Sequence, residues 1–328
     1  MTGRRVVVAS TLAIAALLLA ACTPPLPVPA PDAVPAAMPP AISTEQVEEV
    51  LADLKATVEE ADVAFSAELL DPRLIGPARA IRAIEYALRL AGDTEAITSV
   101  PPVAQTIVAP TTDTWPRTVM VITEPPEDLQ APLLLTLVQE GPRDPYRLWS
   151  WARLFPGVAV PAIAQPEVGS SPVEPDAESL AMSPRSVVER YVDVLTNGAG
   201  SEYAASFTDD PLRAGIVATR EAYAGLVVDK GSLTETYQSF ESGPYSIATA
   251  DGGAIVVGAV QTVTTITLDD STLTIGDQTA ALLGKQTVAS NLAITWLSVV
   301  AFAVPPAGST EPVTVLGAEH SRMQVTGE

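Results

Sequence analysis

Four side chains in one short stretch have the types and spacing of a ligand-binding surface. Trp149 and Trp151 are two positions apart, and Arg147 and Arg153 flank them at the same interval. Side chains two apart on a strand share a face, so the pattern predicts an Arg–Trp ladder on a strand. Such a ladder can hold a ligand by stacking or cation–π contact. The alternative is packing in the core or between domains, with the arginine heads reaching solvent at the edge.

Metal and nucleophilic chemistry have little support in the sequence. His320 is the only histidine and Cys22 the only cysteine, whereas zinc and copper sites prefer these ligands. The run Glu319-His320-Ser321 has the residue types of a catalytic triad, but neighbours on a strand point to opposite faces and cannot converge. We interpret His320 as an exposed residue. Glycine patterns for phosphates or dinucleotides are absent as well, so the sequence predicts no metal and no cofactor.

Acid–base chemistry by carboxylates is the enzymatic option that the sequence leaves open. Asp209 and Asp210 precede Pro211, and Glu221 follows Arg220 on the next predicted helix. Asp before Pro is also a turn signal, because its side chain accepts hydrogen bonds from nearby backbone amides. The sequence therefore favours a noncatalytic protein, with a carboxylate-dependent enzyme as the alternative.

The charge and composition exclude several classes of protein. The formal net charge is −21, which repels nucleic acid and anionic headgroups, so we expect no nucleic-acid partner. The acidic balance fits a solvated body or attraction to a basic partner. A hydrophobic fraction of 47% argues against a disordered chain, and 328 residues suggest about two domains.

The N-terminus has the pattern of an export signal. Arg4 and Arg5 precede an uncharged, mostly apolar run of 14 residues at 6–19, which is shorter than the roughly 20 needed to span a bilayer. The run ends in Leu-Ala-Ala-Cys at 19–22, which resembles the bacterial lipobox. That resemblance implies a cleaved signal peptide and acyl chains on Cys22. The protein would then sit on the extracytoplasmic face of the cell membrane, held there by lipid.

Two proline-rich stretches divide the rest of the chain. After the signal peptide (1–21), residues 22–42 are rich in proline and predict an extended tether. Residues 161–182 are rich in proline and acid, and they predict a linker. The division leaves two predicted domains, at 43–160 and 183–328.

Each predicted domain begins with helix signals. Ser43 is a candidate N-cap that forms a capping box with Gln46, and Ser183 is a candidate N-cap before Pro184. An apolar stripe extends the first helix as far as Leu69. Second helices are predicted at Pro77–Leu90 and Ile216–Ala224. The candidate strands are Val103–Ala109, Arg117–Thr123, Leu133–Glu140, Leu148–Phe155, Tyr245–Thr249, Ala254–Leu268, Thr272–Ile275, Thr279–Val288, Ala293–Val304 and Val313–Val325.

Helices followed by consecutive antiparallel strands predict an α+β fold class. The order resembles the NTF2-like and cystatin-like folds, in which a curved antiparallel sheet wraps a helix, and the resemblance implies one such unit per domain. Gly258 interrupts the long strand of the second domain and predicts a bulge or bend.

The two domains repeat short motifs in the same order. Asp71-Pro72 recurs as Asp210-Pro211 at an offset of 139, and Trp151 matches Trp296 at an offset of 145, which indicates a tandem duplication. The whole chain also resembles uncharacterised lipoproteins of actinobacteria. That family carries no known catalytic residues, so the resemblance assigns no site residues. A tethered pair of domains without convergent reactive groups predicts a noncatalytic envelope protein that binds a protein, a cell-wall component or a small ligand, or that scaffolds an envelope assembly.

Overall fold

The computed structural model describes residues 38–93, 97–126 and 130–328. The predicted signal peptide, Cys22 and most of the tether therefore lie outside the described residues. Within the described part, the α+β class is confirmed, with one nine-stranded antiparallel sheet and five α-helices.

The first half of this unit contains two helices and a four-stranded meander. Helix α1 starts at the predicted capping box, where Gln46 N–H donates to Ser43 Oγ and Ser43 N–H donates to Gln46 Oε1. It ends at Phe65, which has a left-handed backbone with φ of 47°, so Leu69 lies beyond the helix that was predicted to include it. The elements are α1 Thr44–Ala64, α2 Gly76–Leu90, β1 Ala104–Val108, β2 Arg117–Thr123, β3 Leu133–Gln139 and β4 Arg147–Leu154.

The second half repeats this order, with additions. Ser183 and Asp210 cap its two helices. The prediction of a single strand at Thr279–Val288 is wrong, because residues 279–283 belong to helix α5 and only Thr287–Val288 is strand. Strand β5 was not predicted. The elements are α3 Pro184–Asn197, α4 Pro211–Leu226, β5 Gly231–Ser239, β6 Tyr245–Ala248, β7 Ala254–Leu268, β8 Leu273–Thr274, α5 Asp277–Leu283, β9 Thr287–Val288, β10 Asn291–Val304 and β11 Thr314–Gly327.

The two halves share one sheet of order β1-β2-β3-β4-β11-β10-β7-β5, and β6 pairs with the start of β7. They meet where Leu154 and Arg153 of β4 pair with Gly317 and Ala318 of β11. The first half therefore contributes a four-strand meander and the second half contributes β5, β6, β7, β10 and β11, and each half ends on the strand next to its partner half. Trp151 and Trp296, which were matched by spacing, lie on β4 and β10, so they do not occupy equivalent strands.

The segment predicted as a linker packs against both halves. Ser170 pairs with Pro110 just after β1, and Pro172 pairs with Ile247 of β6. Further along, Leu180 pairs with Pro306. Residues 170–173 thus connect the outer edge of β1 to β6 by backbone hydrogen bonds.

Strand β7 is buried on both faces. Ile255 and Val257 belong to the hydrophobic core that contains α1, α2 and β1–β4. Val256 and Val260, on the opposite face, belong to a second core with α3. This double burial explains why the sequence of β7 does not alternate between apolar and polar residues.

Gly258 lies where α3 approaches β7. The pairing of β7 with β10 continues through it without a register shift, so of the predicted bulge or bend, the bulge is absent. A Cβ at this position would lie 2.5 Å from Val188 Cγ2. Glycine is therefore needed for the close approach of the helix to the strand.

Candidate functional site

A cleft lies between α4 and the sheet of the second half. Ile216, Thr219, Tyr223 and Leu226 follow helical spacing along the face of α4 that lines it. Its outer chamber has a volume of about 530 Å³, within the range of small-molecule sites. The lining side chains of the sheet and of the β8–α5 segment include Ile266, Leu292, Ile294, Arg322, Leu273, Ile275 and Gln278.

Three stacked side chains separate this chamber from a smaller inner cavity. The His320 ring lies parallel to Trp296, with centroids 4.8 Å apart and an angle of 9°. Arg322 Cζ lies 4.6 Å from the centroid of Trp296, and Arg322 Nη1 donates to Gln278 Oε1 at 3.1 Å. Arg322 lines the outer chamber, whereas Trp296 and His320 line the inner cavity. The stack thus offers the outer chamber a cation held in a fixed position.

The inner cavity has a volume of about 10 Å³, about the minimum for one water molecule. Glu235 is its carboxylate, and it accepts hydrogen bonds from the Arg220 guanidinium, from Tyr237 Oη at 2.8 Å and from Thr264 Oγ1 at 3.1 Å. Burial and the hydrogen bond to Glu235 raise the pKa of Tyr237. Thr262 Oγ1 is buried there without a partner among the described residues. Glu235 is therefore held by three donors in a space too small for a substrate.

The Glu319-His320-Ser321 run divides between the two faces of the sheet. Glu319 accepts a hydrogen bond from Trp151 Nε1 at 3.2 Å, on the side of the first half. His320 keeps part of its surface exposed, whereas its ring packs on Trp296 and its Nδ1 lies 2.8 Å from Ser298 Oγ on the side of the second half. Loss of hydration and the Arg322 charge lower the pKa of the His320 imidazole below its usual 6.5. The three side chains do not converge.

The four side chains of the predicted Arg–Trp ladder make packing, ion-pair and hydrogen-bond contacts within the protein. A register shift between β3 and β4 leaves Trp149 without a cross-strand partner, so the two-residue alternation is interrupted there. Trp149 and Trp151 are both fully buried. Arg147 pairs with Glu140, and Arg153 Nη1 donates to the Ala131 carbonyl at 3.0 Å.

The carboxylates singled out in the sequence lie outside the cleft lining. Asp210 caps α4, accepting from Arg213 N–H at 2.8 Å and from Tyr191 Oη at 3.0 Å, and burial raises the pKa of its carboxyl. Asp209 pairs with Arg213, and Glu221 is exposed. Glu235 is the carboxylate of the inner cavity, and Asp93 and Asp277 line the outer chamber. The sequence did not indicate Glu235 as a site residue because β5 was not predicted. A signal was available, since Leu233, Glu235 and Tyr237 alternate with more exposed residues.

Metal-binding clusters and membrane-spanning helices are both absent from the described residues. No group of three or more His, Cys, Asp or Glu side chains there is arranged to hold a metal ion. No helix in the same ranges has the length and apolar character needed to cross a membrane.

The site and fold together define an α+β protein with a ligand-sized cleft between a helix and a shared antiparallel sheet. Residues 38–327 match the model of a family described as a domain of unknown function (DUF8094), so the chain belongs to that family. No curated protein and no solved structure matches the chain.

Proposed function

We propose that this chain is an extracytoplasmic lipoprotein, anchored to the cell membrane by acyl chains on Cys22. Its folded part would serve as a binding module of the cell envelope, built from two tandem NTF2-like or cystatin-like units. The support for the anchor is the order of Arg4 and Arg5, the apolar run and the Leu-Ala-Ala-Cys tetrad. Two or more long acyl chains would hold such a protein stably, because each buried methylene contributes about 0.8 kcal/mol.

The outer chamber beneath α4 carries the proposal of a binding role. Its floor of Ile266, Leu292 and Ile294 suits an apolar group, and its charged lining residues are Arg322, Asp93 and Asp277. This combination fits an amphipathic small molecule, or a cell-wall component, that has an apolar body and an anionic or carbonyl end. The few polar groups would fix its orientation while apolar burial supplies affinity.

The hydrogen bonds and the enclosure of Glu235 favour binding over catalysis. A general base needs an accessible carboxylate near its substrate. Glu235 is compensated by Arg220 and enclosed with Tyr237 in the inner cavity. The observation favours a ligand that stops at the Arg322–Trp296–His320 stack.

Filling the chamber tests the binding role. Thr274 is exposed at the chamber lining, and the nearby Thr272 is exposed outside it. We expect anilinonaphthalene sulfonate, an anionic apolar dye, to bind the wild type, and Thr274→Trp to weaken binding about tenfold or more, a loss of roughly 1.4 kcal/mol. Thr272→Trp should bind as the wild type does. Equal affinity in all three proteins, or no dye binding to the wild type, would overturn the assignment.

The anchor has a separate test in the full chain. Cys22→Ala should release the protein from membranes or leave the leader uncleaved, whereas Thr23→Ala should leave both membrane retention and processing unchanged. Mass spectrometry of the mature N-terminus should find acyl groups on Cys22. An unmodified Cys22 in a membrane-bound, processed protein would contradict the proposal.

A further inference from the structure

A second, longer groove runs along α1 in the first half, far in sequence from the cleft beneath α4. One wall is a helical stripe from Leu51 to Asp62 that includes Leu54 and Val58. The eleven helical steps from Leu51 to Asp62 span roughly 16 Å. The groove has a volume of about 640 Å³, and its helical wall combines three apolar side chains with three charged ones: Leu51, Leu54, Val58, Lys55, Glu59 and Asp62.

The opposite wall is an extended segment with unused backbone groups. Residues 97–103 form no helix or strand. From Ile97 to Pro102, no backbone group hydrogen-bonds to another backbone group of the described residues, although Thr98 N–H donates to Glu85 Oε1. Ser99 and Val100 line the groove, and their main-chain donors and acceptors have no backbone partner among the described residues, as at the edge of a sheet.

The floor contains a buried cation with spare donors. Arg82 has no solvent exposure, and its Nη1 donates to Glu85 Oε2 at 2.9 Å. Its Nε and Nη2 have no hydrogen-bond acceptor among the described residues. The neighbouring Asp62 accepts from Tyr86 Oη and forms an ion pair with Arg82, whose Nε lies 3.7 Å from Asp62 Oδ1, beyond hydrogen-bond distance. A buried N–H group without a hydrogen-bond acceptor lowers stability. An additional acceptor oxygen next to Arg82 would therefore be favourable.

Negative charge dominates the rim of the groove. Glu59, Asp62 and Glu124 line it, against Lys55, which pairs with Glu59 at 3.6 Å. Helix α1 as a whole has seven acidic residues and one lysine, within a chain of formal net charge −21. The field around the groove therefore attracts a basic partner.

We propose that this groove docks an extended segment of a basic partner protein, with apolar and basic side chains in alternation. A length of roughly 16 Å accommodates about five extended residues. Main-chain pairing with Ser99 and Val100 would give affinity, as in strand addition. Apolar side chains would pack on Leu54 and Val58, and a backbone carbonyl would reach Arg82 after a local shift of the irregular wall.

Peptide binding to the whole folded chain tests the proposal. The probe is a fluorescein-labelled Lys-Val-Lys-Val-Lys peptide, with Glu-Val-Glu-Val-Glu as the reversed-charge control, and fluorescence anisotropy is the readout. We expect Glu59→Lys and Glu124→Lys each to weaken binding several-fold and the double variant at least about tenfold. Glu60→Lys makes the same charge change on the same helix but outside the groove lining, so its effect should stay under about twofold.

Hydrogen exchange distinguishes docking from general attraction between charges. Bound peptide should slow exchange of the Ser99 and Val100 amides by about tenfold or more, with no change around the cleft beneath α4. Several results would overturn the proposal: no binding of the lysine peptide, equal binding of the glutamate peptide, equal weakening by Glu60→Lys, or binding without protection of Ser99 and Val100.

Discussion

Trp149 donates its indole N–H to Ser242 Oγ at 3.0 Å, which joins β4 of the first half to the segment before β6 of the second. The same indole meets Tyr245 edge-on, with centroids 4.8 Å apart. Gly76, the first residue of α2, lies against the five-membered ring of this indole, beside Cδ1 and Nε1. A fully buried tryptophan therefore fixes one contact between the halves, in addition to the pairing of β4 with β11.

Gly76→Ala should destabilise this contact. Gly76 has φ of +52°, and an added Cβ would lie 2.7 Å from Trp149 Cδ1 and Nε1. The left-handed backbone and the overpacking together should lower the free energy of unfolding by about 3 kcal/mol, measured by urea denaturation. Gly157→Ala is the matched control, because Gly157 has φ of +77° with nothing within 4 Å. It should lose about 1 kcal/mol, and equal losses in the two variants would show that the contact with Trp149 is unimportant.

Local signals were sufficient for much of the fold. The caps at Ser43 and Ser183 were predicted from the side chains that make them, and the bounds of β2 and β7 match the predicted strands. Strand β5 was missed because Gly231–Ser239 has few apolar residues and alternates exposed with half-buried positions. Helix α5 was predicted as a strand because strand-like residues neighbour it in the sequence, although its Ala280 and Leu283 favour helix.

The candidate site depends on pairings that are distant in sequence. Glu235, Trp296 and His320 meet only because β5, β7, β10 and β11 lie in that spatial order. Spacing placed Trp149 and Trp151 on one face, but the register shift in β4 depends on its pairing with β3. No local pattern encodes either feature, so the sequence indicated the fold class but could not locate the cleft.

The approach of α3 to β7 gives a prediction about Gly258 and Val188. Gly258→Ala should cost about 1–3 kcal/mol of unfolding free energy, because its Cβ would overlap Val188 Cγ2. Val188→Ala removes the overlapping methyl groups and opens a small cavity instead. In a double-mutant cycle, the pair should lose less than the sum of the single losses, by about 0.5 kcal/mol or more. Strictly additive losses would mean that the two residues do not constrain each other.

Glu319 should make stability depend on pH. Loss of hydration, followed by repulsion from Glu85, raises the pKa of the Glu319 carboxyl above 4.5. The folded state then holds this proton more tightly than the unfolded state, so this group's contribution rises as pH falls from neutral through the folded pKa. Glu319→Gln keeps an acceptor for Trp151 and removes the charge. Its advantage in unfolding free energy over the wild type should be largest near pH 7 and shrink towards pH 4.5, and a difference independent of pH would contradict this account.

His320 offers a direct measurement at the candidate site. It is the only histidine, so its ring signals in an NMR titration need no further assignment. Loss of hydration, and then the Arg322 cation, lower the pKa of the imidazole below 6.5, and we expect the titration midpoint to fall correspondingly low. The unfolded state therefore binds the proton more readily, and this group's contribution to stability falls as pH drops below 6.5. Arg322→Gln should raise the midpoint because it removes the neighbouring positive charge. A wild-type midpoint at or above 6.5, or no change in the variant, would show that the stack with Trp296 does not hold His320 in its neutral form.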